Sequence, residues 1–312
     1  MHDSLPEVDT DAVDLSVEMF GKKLNAPLLI TGMTGGAARA EEINRTLARV
    51  AQELGIAFGV GSQRAMAVDP TLTKTFQVRE VAPDIVLLGN LGGTQVAAMS
   101  VAEIQDVVGA IDADALCVHL NPAQELTQPE GDRNFIGVVD GLRRAVEGLS
   151  VPVIAKETGC GLSKRTLEKI KSTGVEWVDV SGAGGTTWVG VEVLRTPPAQ
   201  RDVGQQFWEW GIPTAASICW AREMGFNIIG SGGLRNGRDA ANAIALGADI
   251  AGMALPWLRA AFDGGEDAAM AFGETTIQAL RHTCVLTGSK DIAALQSAPR
   301  LIGPRLSKWT TS

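Results

Sequence analysis

No run in the chain approaches the roughly 20 apolar residues that span a bilayer. The closest stretch, Ile244–Leu258, is interrupted by Gly247, Asp249, Gly252 and Pro256. The N-terminus, Met1-His-Asp-Ser-Leu-Pro-Glu-Val-Asp, lacks the features of a secretory signal or a transit peptide. Cysteine is scarce: Cys117, Cys160, Cys219 and Cys284 are scattered without paired spacing. That excludes a zinc motif, argues against a disulfide framework and makes a reducing cytoplasm the expected compartment. Basic residues are outnumbered, 27 against 36 acidic ones, for a formal charge of −9. A general nucleic-acid surface would need clustered Lys and Arg, so neither a nucleic acid nor a membrane is an expected partner. An acidic protein can still hold an anion through backbone amides, helix N-termini and a few cations. Low-complexity linkers are also missing. With 45% apolar and 20% charged residues, the 312 positions read as one large globular domain spanning 1–312.

What the chain has is a series of short apolar, β-branched segments. Strands are expected at Pro27–Thr31, Ala57–Gly61, Ile85–Gly89, Ala115–His119, Pro152–Lys156, Trp177–Ser181, Ile228–Ser231 and Ile250–Met253. Several are continuously hydrophobic, as parallel strands buried on both faces tend to be. Amphipathic helices are expected between them, at Ala40–Leu54, Phe135–Gly148, Lys164–Ser172, Gln205–Met224 and Gly237–Leu246. Eight strands alternating with helices fit an α/β fold of the (β/α)8 TIM-barrel kind. An open doubly wound sheet is the alternative, with fewer strands and one switch point.

In such barrels chemistry gathers where the strands end. Nearly every expected strand here ends in glycine or a polar group, which a shared ligand site explains better than turns alone. The densest of these ends is His119-Leu-Asn-Pro-Ala-Gln-Glu125. Alternation along the strand puts His119 on one face with Ala115 and Cys117. Pro122 then stops the strand and carries Gln124 and Glu125 into a loop. The segment reads either as active-site geometry or as a polar loop with a satisfied core histidine. Lys156 shares the parity of Ile154 and points inward. It can face an anion or electron-rich ligand, form a Schiff base, or pair with Asp179 on the adjacent strand. Ser231-Gly-Gly-Leu-Arg-Asn-Gly precedes a helix, as a phosphate-holding loop or a plain βα turn, and Ala254-Leu255 would supply further amides. Arg235 has no assigned role at this point.

Taken together, Met33-Thr-Gly-Gly, Gly61-Ser-Gln-Arg, Asn90-Leu-Gly, His119-Leu-Asn-Pro-Ala-Gln-Glu, Val153-Ile-Ala-Lys-Glu, Ser181-Gly-Ala-Gly-Gly-Thr and Ser231-Gly-Gly-Leu-Arg resemble the FMN-dependent, type 2 isopentenyl-diphosphate isomerases. The resemblance runs from about Leu5 to Lys290. It implies interconversion of isopentenyl and dimethylallyl diphosphate on reduced FMN with Mg²⁺, NADPH as the reductant, and a homo-oligomer, tetramer or octamer. It places Met33, Thr34 and Gly35 against the flavin. Ser62, Asn90, Lys156, Ser181 and Thr186 would lie along the flavin's polar edge and ribityl chain, and Gly232, Gly233, Ala254 and Leu255 at its phosphate. Substrate would meet Ser62, Gln63, Arg64, His119, Asn121 and Gln124, and Glu125 would bind Mg²⁺. Gln124, Lys156 and His119 are the implied catalytic residues, with the reduced flavin itself passing the protons.

The resemblance departs in one place. Family members usually begin with a basic arm of the Arg-Lys-x-x-Glu-His kind upstream of the region matching Leu5-Pro-Glu-Val-Asp, and this sequence lacks it. Weakened affinity for the diphosphate is the expectation, and a flavin-binding homologue with impaired turnover is one alternative. The other is an FMN oxidoreductase. The hydroxy-acid oxidase type wants a His and Arg pair near strand seven, where none of the three histidines lies. The nucleotide dehydrogenase type wants a nucleophilic Cys after strand six, where this chain has Gly-Ala-Gly-Gly-Thr.

Overall fold

The computed structural model describes residues 1–36 and 38–310. Two short strands, β1 (Val17–Met19) and β2 (Lys22–Leu24), pair as an antiparallel hairpin. Eight parallel strands follow: β3 (Leu28–Ile30), β4 (Ala57–Gly59), β5 (Leu87–Gly92), β6 (Ala115–Leu120), β7 (Val153–Glu157), β8 (Trp177–Asp179), β9 (Asn227–Ser231) and β10 (Ile250–Met253). They lie in chain order, and β10 pairs back onto β3 to close a barrel. Every expected strand has its observed counterpart, so the (β/α)8 reading holds and the open sheet does not.

Helices fill the crossovers. After β3 comes α1 (Ala38–Leu54), and after β4 the short α2 (Arg64–Val68). β5 is followed by α3 (Gly93–Ala98) and α4 (Val101–Gly109), β6 by α5 (Pro122–Thr127) and α6 (Val138–Gly148), and β7 by α7 (Lys164–Lys171). Beyond β8 lie α8 (Trp188–Arg195), α9 (Asp202–Gln205) and α10 (Thr214–Glu223); beyond β9 lies α11 (Gly237–Ala245). The chain ends with α12 (Leu255–Val285), α13 (Ile292–Ser297) and α14 (Pro304–Thr310). Local chemistry sets several helix starts. Ser100 and Glu103 form a reciprocal capping box on α4, and Asn236 accepts from the Asp239 amide to cap α11.

Three expectations need correction. The helix expected over Gln205–Met224 is two: α9 ends at Gln205, and α10 starts only after Gly211-Ile-Pro213. Proline lacks an amide hydrogen and disfavours a helical residue before it, so Pro213 opens a helix here instead of continuing one. Gln124 and Glu125 lie on α5, not in a loop, because Pro122 takes the first helical position, where its missing donor costs nothing. Third, the Trp177–Ser181 strand is shorter, ending at Asp179.

Two apolar layers hold the barrel. Inside it, Leu29, Ala57, Leu88, Ala115, Cys117, Ile154, Ile229 and Ile250 pack into one cluster. Outside, the opposite strand faces meet the helices in a larger one. The hairpin closes the end opposite the strand tips: Met19 and Leu24 join the interior cluster, and Phe20 packs on Trp177 with ring centroids 5.1 Å apart. None of the helices of the described residues is long and apolar enough to cross a membrane. Leu24 is 1% exposed. Leu24→Ala is therefore expected to destabilise the fold by about 2–5 kcal/mol, the usual range for a buried Leu truncation. Urea unfolding measures it; a loss under about 0.5 kcal/mol, typical of a surface change, would show that the plug is dispensable.

Candidate active site at the strand ends

His119 sits one residue from the end of β6, in register with Lys156 on β7 and Gly92 on β5. Its parity with Ala115 and Cys117 points it into the barrel, as alternation predicts. His119 Nδ1 lies 2.8 Å from Asn90 Oδ1, and Asn90 Nδ2 donates to Val60 O at 3.1 Å. With the amide nitrogen committed to a carbonyl, Oδ1 must accept, so Nδ1 carries the proton and Nε2 is the free acceptor. Burial pushes the His119 pKa down to about 4, helped by the charges of Lys156 and Arg64.

Lys156 and Asp179 occupy adjacent strands, and their charged groups are 3.1 Å apart with almost no exposure. Lys156 Nζ also donates to Glu157 O at 2.8 Å. Asp179 is held by the Ser231 hydroxyl, its hydrogen-bond donor on β9, and by the Ser181 amide at 3.3 Å. The ion pair weighed in the sequence is therefore formed, and an isolated ammonium ready for a Schiff base is not what the barrel presents. Cys117, beneath the pair, is pushed up to about 12 by burial and then by Asp179, which makes it inert packing. Next to Lys156, the Glu157 carboxylate accepts from four successive amides, those of Thr158, Gly159, Cys160 and Gly161. Desolvation pushes Glu157 up to about 7 even so. The donors fix the loop that leaves β7.

On α5, Asn121 Nδ2 donates to Gln124 Oε1 at 3.2 Å and to Glu125 Oε1 at 3.0 Å. Glu125 is buried, and its other oxygen accepts from the Asp132 amide at 2.7 Å. Gln124 Nε2 donates to Glu192 Oε1 at 3.1 Å. Glu192, buried on α8, is a site residue that sequence reasoning missed. It stands 68 positions from Gln124, and no spacing rule connects a helix after β8 with one after β6.

The glycine-rich ends of β8 and β9 approach each other closely. A Cβ on Gly233 would lie 2.4 Å from Gly184 C, and one on Gly185 would lie 2.7 Å from Gly233 N. Gly232 and Gly233 have φ of +102° and +86°, which glycine adopts without the cost of a Cβ. Among the described residues, the backbone N–H groups of Gly184, Gly185, Gly232, Gly233, Leu234, Ala254 and Leu255 donate to no group of the chain. A concentration of unused amides, some at the start of the long helix α12, is the donor set a phosphate requires.

The remaining candidates divide. Ser62 and Arg64 are exposed at the end of β4, and Thr186 is exposed after β8. Ser181 is buried with φ of 32°. Met33, Thr34 and Gly35 form the turn after β3. There Thr34 bonds Asn44 at 2.9 Å, and Gly35 packs so tightly against Phe76 that a Cβ would clash. Gln63 does not present its side chain to the mouth. It is fully buried, accepting from Asn90 N at 2.8 Å and donating to Val107 O at 3.0 Å.

This arrangement, an anion grip on one side of a barrel mouth and a His–Asn–Gln–Glu cluster on the other, has close parallels. The FMN-dependent dehydrogenase family profile matches residues 137–301, the half of the chain that carries the glycine loops. Two solved structures of mandelate oxidase, one with a monooxide FMN adduct and one with benzoyl-formic acid, superpose with TM-scores of 0.68 and 0.65. They share 15% and 14% identity, over 97% of this chain and 87% and 86% of theirs, which establishes a common fold. Sequence similarity is far greater to proteins named isopentenyl-diphosphate delta-isomerase. Identity is 43% for that of Pyrococcus horikoshii, covering 99% of this chain and 86% of the relative. It is 46% for Aeropyrum pernix (99% and 84%) and 45% for Rickettsia peacockii (96% and 88%). The chain belongs to the isopentenyl-diphosphate delta-isomerase family.

The buried imidazole has a measurable consequence. Unfolded, His119 takes a proton near its model value of 6.5; folded, it takes one only near 4. The unfolded state thus binds the extra proton between these values. Stability present above pH 6.5 is lost as the pH falls towards 4. His119→Asn is expected to remove that slope, a difference approaching about 1.4 kcal/mol per pH unit. Parallel slopes for parent and variant in urea unfolding across this range would show that the ring is not held neutral.

Proposed function

We propose that this protein interconverts isopentenyl and dimethylallyl diphosphate with reduced FMN and Mg²⁺. The observation that carries the reading is the joining, in one barrel mouth, of the free-amide grip at β8, β9 and α12 with the His119–Glu125 cluster at β6. The dehydrogenase profile covers the grip but not the cluster. Full-length relatives at 43–46% identity carry the isomerase name. No histidine lies at the end of β9, where hydroxy-acid oxidation would want one.

The residues present fit FMN. Its phosphate matches the amides of Gly232, Gly233, Ala254 and Leu255, with Gly184 and Gly185 opposite. Asn90, Ser62, Ser181 and Thr186 surround the space between that grip and Lys156, and Met33, Thr34 and Gly35 border it from β3. When bound and reduced, the flavin supplies the acid–base group that moves protons to and from an unactivated alkene.

The chain's own residues do the rest. Lys156 balances negative charge at the ring's polar edge, its ammonium kept in place by Asp179. Arg64, His119, Asn121 and Ser62 meet the diphosphate. Neutral His119 offers Nε2, which becomes a donor on taking a proton from water as the dianion arrives. Gln63 acts from behind by holding Asn90, and so His119, in place. Gln124 faces the reacting carbons, oriented by Asn121 and Glu192. Glu125 uses one lone pair per oxygen on Asn121 and Asp132, leaving others for a hard cation whose remaining ligands come from phosphate and water. Enclosure by the barrel excludes water from a cation-like transition state. NADPH as reductant, a homo-oligomer and a cytoplasmic location belong to the same reading and rest on the family resemblance.

The deciding experiment incubates isopentenyl diphosphate with the flavin-loaded protein, reduced and anaerobic, with Mg²⁺, and follows the methyl signals by NMR. Dimethylallyl diphosphate should accumulate to equilibrium; none forming with FMN demonstrably bound overturns the reading. The flavin released on denaturation should be FMN and not FAD, since the site has one phosphate grip. Glu125→Gln should leave flavin affinity intact and remove most Mg²⁺-dependent turnover, the carboxamide keeping the shape without the charge. An unchanged Mg²⁺ titration would place the metal elsewhere.

A further inference from the structure

Arg235 follows Gly232-Gly-Leu and would pass for a surface arginine, since it is exposed. Its hydrogen bonds say otherwise. Nη1 donates to Gly233 O at 2.7 Å, on the loop after β9, and Nη2 donates to Gly184 O at 2.9 Å, on the loop after β8. Its own amide is pinned by Asp239 Oδ2 at 2.9 Å, and Asp239 is itself the residue capped by Asn236 at the start of α11. Among the described residues it pairs with no carboxylate, so both terminal nitrogens are committed to backbone.

We infer that Arg235 is a positioning residue that keys the two glycine loops together so that their amides converge on one phosphate. It rests on the flavin reading above, and the reason lies in peptide geometry. All described peptides are trans, so each carbonyl and the following N–H point in opposite directions. Turning the Gly184 and Gly233 carbonyls towards the guanidinium turns the Gly185 and Leu234 amides away from it, and both of those amides are among the unused donors. The loops have no side chains to do this work. Gly184, Gly185, Gly232 and Gly233 offer no Cβ, and Cβ atoms at Gly185 and Gly233 could not be accommodated at this approach. From the opposite side Thr214 Oγ1 donates to Gly232 O at 2.6 Å, so the β9 loop is held on two sides and the β8 loop through Arg235. A planar fork reaches two carbonyls at once; an ammonium on a flexible stem does not hold the same geometry.

The test compares FMN with riboflavin, which has the same ring and ribityl chain but no phosphate. Dissociation constants come from quenching of flavin fluorescence, for the parent, Arg235→Ala and Arg235→Lys. The expected result is FMN affinity weakened tenfold or more in both variants and riboflavin affinity within twofold of the parent. Near-parental FMN affinity in Arg235→Lys would overturn the clamp in favour of a simple charge on the phosphate. Equal losses for both flavins would overturn it in favour of general loop damage. A crystal structure of flavin-free Arg235→Ala supplies a readout independent of any flavin. The Gly184 and Gly233 carbonyls should lose their fixed facing orientation, and loops unchanged from the parent would sink the proposal. A parent that binds neither flavin would instead count against the flavin reading, with the loop geometry still decided by the crystal structure.

Discussion

The buried contact between Lys156 and Asp179 organises the mouth of the barrel. Two charges withdrawn from water are costly, and removing either alone leaves the other uncompensated, typically a loss of about 3–5 kcal/mol. The pair is tolerable here because its partners are supplied by the strands themselves: Ser231 and the Ser181 amide to Asp179, and the Glu157 carbonyl to Lys156. It lies directly above the apolar layer of Cys117, Ile154 and Ile229 and beside His119 in register. The same positive charge helps to keep the imidazole neutral. One ion pair thus sets the boundary between packing and chemistry.

Much of this was legible in the sequence, for a physical reason. Parallel strands buried on both faces must be continuously apolar, and a period of two decides which side chains enter the barrel. Lys156, Asp179 and His119 could therefore be placed on the inner face from parity. The three-residue hairpin strands carry too short a pattern, Val-Glu-Met and Lys-Lys-Leu, to register as strands at all. Direction beyond a strand end is not periodic. Gln63, one position from Ser62 and Arg64, turns into the gap between β5 and α4 because Asn90 N and Val107 O wait there. Glu192 is the clearest omission: its meaning comes from a packing of α5 on α8 that local spacing does not encode.

An acidic chain that holds two phosphorylated molecules must confine its positive potential. With a formal charge of −9, long-range attraction is weak, and the grip has to come from fixed dipoles and a few placed cations. Backbone amides serve this purpose well, since they are already in place and need no counter-charge when empty. They demand close approach of two loops, which glycine permits sterically but does not enforce. Something must restrict the conformations that glycine opens, and Thr214 and Arg235 are the side chains in contact with those loops that can do it.

The two halves of the barrel divide the labour. The half matched by the FMN-dependent dehydrogenase profile, residues 137–301, carries Lys156, the glycine loops and α12, which together suit a flavin in any of several chemistries. The half before it carries Arg64, Asn90, His119, Gln124 and Glu125. Those residues form a network that starts from Val60 and Val107 carbonyls and ends on Glu192. An oxidase needs a base that takes a substrate proton as hydride leaves. An allylic isomerase needs no net electron transfer, only orientation of a diphosphate and shielding of an electron-poor carbon skeleton. A neutral histidine, a carboxamide fixed at both ends and one carboxylate with lone pairs to spare suit the second task. The reaction is selected by what β4, β5 and β6 present to a grip that the rest of the fold holds in common.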